Sequence, residues 1–429
     1  MTPLAVQALL QVANAQHELS TGHAIIASII KLLIIFTVWM VTVALLTLAE
    51  RRIAGWIQDR QGPNRVGPQG ILQPAADGLK NLMKEETEPA NAYMPIFRLA
   101  PAISFIPALI AWAVIPFAAP WPSPWGLVPM VLTDLPIGYL YILAVSSLGA
   151  YGLILAGWSS ANKYALLGGL RASAQLISYE VALGMSVIPV LLLTGNVTLS
   201  SFVETQAAGG FNWNILNLTM GFFIFIVAAF AETNRLPFDM PEAESELIAG
   251  YHTEYSSMKF SMFMISEFAA MLTISSLMVT LFFGGWDIPF TSWDNVAPWS
   301  TAKTLATLAV FVLKTGFFIF TFMWVRWTLP RFRYDQLMAL GWRVMIPLAM
   351  AYMVIIAVAV LVLDRVGLSA GPGQAMALFG LNLVLLVGMF FIFDRGRLIS
   401  PAAARVSPSE LARLRSVALR PPTTAEARD

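Results

Sequence analysis

Acidic residues inside apolar runs are the groups of this chain best placed to do chemistry. Glu180 lies in the run Gln175–Leu176–Ile177–Ser178–Tyr179–Glu180–Val181, Glu267 lies within residues 260–284, and Glu232 closes residues 213–233. A charged side chain at mid-bilayer costs roughly 2.5–3.5 kcal/mol on insertion scales, so acids there line a cavity or a proton path. The competing reading for Glu180 and Glu267 is a buried carboxyl satisfied by a neighbouring Ser or Tyr. Lys31 and Lys314 also fall inside apolar runs, and Lys31 can equally snorkel to an interface.

The densest cluster begins at Glu232. Seven acids (Glu232, Asp239, Glu242, Glu244, Glu246, Glu254 and Glu267) face only Arg235 and Lys259 nearby. Glu242 and Glu246 are four apart, so a helix after Pro241 stacks them on one face as a like-charge pair. Carboxylates crowded away from water raise one another's pKa and titrate as a coupled set, holding protons near neutral pH and releasing them when a nearby charge changes. A solvated acidic loop that meets a basic partner is the alternative. Pro237 and Pro241 break any helix here, and the freed backbone groups must face protein or water. A second unusual stretch, Glu50–Pro68, sets Glu50, Arg51 and Arg60 beside an apolar interface, and its glycines and prolines specify a fixed loop. Such a place suits an amphiphile with a polar head and a greasy tail.

These groups need elements to hold them. Of 429 residues, 57% are hydrophobic and 12% charged, with a mean hydropathy of +0.70, which rules out a soluble globular domain. Cysteine is absent, which excludes disulfides, thiolate nucleophiles and cysteine-held clusters within this chain. His17, His23 and His252 are scattered, which argues against a histidine-built metal site, and the net charge of +1 gives no sign of nucleic-acid binding.

A bilayer core needs about 20 apolar residues per helix. Nine stretches qualify, near 24–49, 99–119, 135–158, 175–194, 213–233, 260–284, 303–325, 344–363 and 374–393. The expected fold is an all-α integral membrane protein with about nine transmembrane helices. Residues 1–23 form an outside N-terminal segment, 24–393 a single polytopic domain, and 394–429 a cytoplasmic tail, partly disordered, with one short helix at Pro408–Val417. No basic residue precedes His23, so the first span is retained rather than cleaved. Counting Lys and Arg places 22 of 26 on one face, which puts the N-terminus outside and the C-terminus inside.

Residues 70–86 repeat apolar positions at helical spacing opposite Asp77, Lys80, Lys84 and Glu85. They read as an amphipathic helix in the membrane surface or packed on a partner subunit. The Trp/Pro-rich segments 119–122 and 286–299 read as outer interfacial anchors.

Four blocks, 50–86 (ERRIAGWIQDRQGPNRVGPQGILQPAADGLKNLMKEE), 157–181 (GWSSANKYALLGGLRASAQLISYEV), 231–260 (AETNRLPFDMPEAESELIAGYHTEYSSMKF) and 327–342 (WTLPRFRYDQLMALGW), carry a resemblance. They resemble the quinone-site membrane subunits of respiratory complex I, the H type of bacterial NADH:quinone oxidoreductase. The likeness runs over roughly 24–364, and the ninth span resembles an addition that only some members have. It implies a subunit of a proton-pumping translocase, without a redox centre of its own, in a bacterial cell inner membrane. Quinone, either ubiquinone or menaquinone, is its substrate.

FMN and iron–sulfur clusters are then expected in partner subunits. Those partners are the peripheral-arm iron–sulfur and quinone-site subunits and the other membrane-arm subunits. By resemblance, Glu50, Arg51, Arg60, Arg235, Asp239, Glu242, Glu244 and Glu246 belong to the quinone chamber. Glu180, Glu232, Glu254 and Glu267 belong to a proton path leading into the membrane. Glu242 and Glu246 would sense the quinone's charge. Three other readings compete: a stand-alone cation or proton transporter, a structural anchor for soluble subunits, and the related subunit of membrane-bound hydrogenases.

Overall fold

The computed structural model describes residues 21–124, 126–207, 212–241, 244–291, 293–295, 297–368 and 372–394. Segment 1–20, Glu242 and the tail with its expected helix at Pro408–Val417 lie outside the described residues. The helices are α1 (Thr21–Ile57), α2 (Gln73–Met83), α3 (Met94–Ile110), α4 (Gly138–Ser159), α5 (Lys163–Thr194), α6 (Leu199–Ala207), α7 (Asn214–Asn217), α8 (Thr219–Glu232), α9 (Glu244–Leu247), α10 (Ser257–Phe282), α11 (Thr301–Thr328), α12 (Tyr334–Arg365) and α13 (Pro372–Asp394). The only strands among the described residues, Trp121–Ser123 and Gly126–Val128, pair as an antiparallel hairpin between α3 and α4.

Seven helices among the described residues are long and apolar enough to cross a membrane. Two shorter apolar helices, Thr219–Glu232 and Gly373–Met389, occupy the fifth and ninth apolar stretches. The chain is an all-α membrane protein. Side chains such as Leu33, Leu313, Phe317 and Leu361 stay more than half exposed on the bundle's flanks, as expected where the solvent is lipid.

Helix ends follow local rules that hydropathy does not see. α5 starts at Lys163 and not near 175, because Asn162 caps it by accepting the Tyr164 N–H at 2.9 Å. It stops at Gly195, whose left-handed φ of 66° lets its N–H close on the Leu191 carbonyl. At 1.5 Å per residue its 32 residues span roughly 48 Å, well beyond a bilayer core of about 30 Å. Residues 50–57, expected in a loop, continue α1. Loss of apolar character marks where lipid ends, whereas hydrogen bonding carries the helix on to Ile57; Asp59 then turns left-handed at φ 50° and the Arg60 N–H closes on the Gly55 carbonyl at 2.8 Å.

The amphipathic segment is α2, with Leu79, Leu82 and Met83 exposed and no residue buried. It rests against α1 and α10. Trp286, expected as an interfacial anchor, is 8% exposed and packs into the main core, while Trp293 is exposed.

α5 is the centre of the bundle, flanked by α4, α8 and α12, and α10 packs on α3, α11 and α1. The contact of α5 with the turn at Gly250–His252 requires glycine: a Cβ on Gly168 would lie 2.7 Å from the Tyr251 backbone nitrogen. That close approach brings Tyr251 to the wall of a cavity among the helices.

Candidate functional site

The described part of the loop that follows α8, residues 233–241, is largely buried rather than solvated. Thr233, Arg235, Phe238, Asp239 and Met240 are each no more than 6% exposed. Gln175 of α5 holds it by donating its Nε2 to the carbonyls of Ala231 and Phe238 at 2.8 and 2.7 Å. Phe238 stacks on Phe332, whose N–H donates to the Pro237 carbonyl. The backbone freed by the prolines is thereby satisfied inside protein.

Arg235 is the residue this loop delivers. Only 2% exposed, it directs Nη1 to Glu50 at 2.6 Å and Nε to Glu267 at 2.5 Å, with its guanidinium 4.4 Å from the Phe268 ring centre. Glu50, at the end of the apolar part of α1, is also paired with Arg326 from the last turn of α11. Asp239 accepts from Arg331 at 3.0 Å, and its other oxygen is buried without a hydrogen-bond partner. One buried ionic cluster thus joins α1, α10, α11 and the 233–240 loop. A guanidinium suits this role because its planar fork serves two carboxylates at once.

Glu267 faces a second feature. A cavity of about 110 Å³ between α3, α4, α5, α8 and α10 is lined by Glu180, Glu232 and Glu267 together with Ser104, Ser146, Asn234, Tyr251, Ser266 and Thr273. One water needs about 10–15 Å³ by this measure, so several fit. Ser147 donates to Glu180, which realises the neighbouring-serine arrangement weighed for that residue. Glu232 keeps one buried oxygen without a partner. Leucine, isoleucine and alanine side chains make up most of the remaining wall, so three carboxyls on three helices share a largely apolar space with room for water, an arrangement that can relay protons.

The remaining expected residues lie elsewhere. Arg51 is exposed and pairs with Asp77 of α2 at 2.6 Å, and Arg60 bonds Gln58 on the surface. Glu246 is exposed and paired with Arg171 at 2.6 Å, so it is not drawn into the buried cluster. Glu254 accepts from Asn162 and borders a separate open hollow with Lys163 and Tyr164. The Glu244 side chain lies outside the described residues. Lys31 donates to the carbonyls of Pro129 and Val131, and Lys314 to those of Phe283, Gly285 and Asp287, so both lysines tie down connecting segments.

Sequence reasoning missed Arg326, Arg331 and Gln175. In the sequence the two arginines read only as topology markers, although Arg326 follows an apolar run directly.

The family model described as NADH dehydrogenase matches residues 30–357, about three quarters of the chain. The chain belongs to the NADH dehydrogenase family. Among its relatives, a protein of Leptospira biflexa named as the H-type subunit of NADH-quinone oxidoreductase is 51% identical over 328 residues, 74% of this chain and 90% of the relative. Proteins of that type from Rickettsia peacockii and Cytophaga hutchinsonii are 49% and 47% identical over 331 and 321 residues, covering 76% and 75% of this chain and 91% and 93% of the relatives. The NADH dehydrogenase match encloses both the ionic cluster and the cavity and stops before α13.

Asp239 lies outside the spanning helices. Burial pushes its carboxyl up to about 7, and Glu267 adds to the rise against the opposing pull of Arg331, Arg326 and Arg235. The folded chain therefore holds this proton more tightly than the unfolded chain, whose Asp titrates near 3.8. Stability is gained on acidification through the window from about pH 7 to pH 4 and is lost as pH rises through it. The melting temperature of the detergent-solubilised protein should carry this slope, and Asp239→Asn should flatten it. An identical slope in the variant would refute the assignment.

Proposed function

We infer that this chain is the quinone-side membrane subunit of a proton-pumping NADH:quinone oxidoreductase in a bacterial inner membrane. In the balanced reaction, NADH, quinone and one proton give NAD⁺ and quinol. The two electrons arrive through flavin and iron–sulfur clusters held by partner subunits, and this chain contributes charge and protons. The quinone head sits near the Glu50–Arg235–Asp239 cluster, with Arg51, Arg60 and the acids at 242–246 on its approach.

The reading rests on one observation: the Arg235 guanidinium touches Glu50 on one side and Glu267 on the other. Negative charge developing on the quinone competes for Arg235 and weakens its hold on Glu267. The cavity carboxyls Glu180, Glu232 and Glu267 then redistribute protons, which is a coupling free energy between two sites sharing one side chain. Glu254 extends the set towards the exposed hollow. Orientation follows from the basic residues: N-terminus periplasmic, C-terminus cytoplasmic, with the seven long helices and the two shorter ones making nine crossings.

The test is extraction of the tagged chain in mild detergent. Co-purification of flavin, iron–sulfur subunits and NADH:quinone activity is expected. Recovery of the chain alone, transporting protons in vesicles without them, would overturn the reading.

A further inference from the structure

The fifth apolar stretch is not one helix. α7 ends at Asn217, Leu218 leaves helical geometry at φ −135° and ψ 42°, and α8 restarts at Thr219. Leu218 is fully buried, so no water reaches the backbone groups that the break frees.

The Thr219 hydroxyl serves the Ile215 and Leu216 carbonyls, and two side chains from the end of the chain serve others. Asn382 of α13 donates Nδ2 to the Asn217 carbonyl at 2.7 Å and accepts the Met220 N–H on Oδ1 at 3.2 Å. Tyr352 of α12 donates its hydroxyl to the same Oδ1 at 2.9 Å and accepts from the Gly221 N–H. The other Nδ2 proton goes to the Leu378 carbonyl at 3.0 Å, so every polar atom of the Asn382 amide is used.

Asn382 is 0% exposed and Leu378, one turn earlier, is buried beside it, while Met376, Leu383, Val384 and Phe391 face outward. An amide in an otherwise apolar helix is costly unless paired, and here α13 packs on α7 and α8 around it. From Met220, α8 runs unbroken to Glu232, a rod of roughly 18 Å whose far end carries a carboxyl oxygen into the cavity.

We propose that Asn382 is a positioning residue: α13 pins the start of α8 through the helix break and so fixes where Glu232 enters the cavity. The inference rests on the reading of Glu232 as a proton carrier. It gives a task to a helix that lies outside the shared family region.

The test uses the assembled complex in native membranes, normalised to flavin content. Asn382→Leu should leave the quinone KM unchanged while lowering protons translocated per NADH by about half or more, because buried donors and acceptors lose their partners. Asn382→Gln, which keeps both amide functions, should recover most of the loss. If Asn382→Leu does not accumulate, Tyr352→Phe removes one donor from the same amide and should show the same uncoupling in milder form. Fully coupled complexes in reduced number would mean a structural role only and would overturn the inference. Glu232→Gln, run in parallel, separates the two claims: if it too stays fully coupled, the proton-carrier reading fails and takes the inference with it.

Discussion

Glu232→Gln should leave NADH oxidation by an artificial acceptor intact while proton translocation coupled to quinone reduction falls on the order of 10²-fold, the range set by loss of a positioned acid–base group. Glutamine keeps the volume and an oxygen but cannot release a proton. The expectation rests on placement: Glu232 ends α8, shares one cavity with Glu180 and Glu267, and has a buried oxygen with no partner. Glu180→Gln should act in the same direction, with the Ser147 contact able to persist to the amide oxygen. Because both side chains border the same water-sized space, the double variant should be little worse than either single one. Acidification inside inverted vesicles on NADH addition is the measurement. Unchanged acidification would remove the cavity from the mechanism.

Arg235→Leu should give the largest loss of stability. Its guanidinium is the cation contacting both Glu50 and Glu267, and it is 2% exposed. Removing one member of a buried ion pair typically costs about 3–5 kcal/mol because the partner charge is left behind. Glu50 retains Arg326, whereas Glu267 loses the arginine that bridges it to Glu50 in the buried ionic cluster. The complex should accumulate poorly and melt at a lower temperature. Arg235→Lys should restore only part, since one ammonium cannot reproduce a fork that reaches residues on α1 and α10 at once. The residual Lys complex should oxidise NADH with quinone yet translocate fewer protons. A lysine variant with wild-type melting and coupling would show that charge alone suffices and that Arg235 is no link between cluster and cavity.

Much of this protein is legible in its sequence. Long apolar runs separated by basic segments demand an all-α membrane bundle, because backbone groups in lipid must pair within each segment and lysine and arginine resist translocation. The four charged blocks between 50 and 342 carry the family, and Glu50, Glu180, Glu232, Arg235, Asp239 and Glu267 stand out by residue type and place alone. Hydropathy is local, however, and it misplaces the start of α5 and the end of α1, where caps and hydrogen bonding decide. Residue type likewise sets Glu246 beside Asp239 in one acidic run, although Glu246 turns outward to Arg171 and Asp239 is buried.

Tertiary packing alone decided which charges meet. Arg235 reaches Glu50 across 185 residues, and Arg326 reaches the same carboxylate across 276. No periodicity encodes such a pairing. It arises when a proline-broken loop, clamped by Gln175, is pressed among α1, α10 and α11. The helix break at Leu218 and its repair by Asn382 belong to the same class, since a buried amide finds its partners only once distant helices have closed around it.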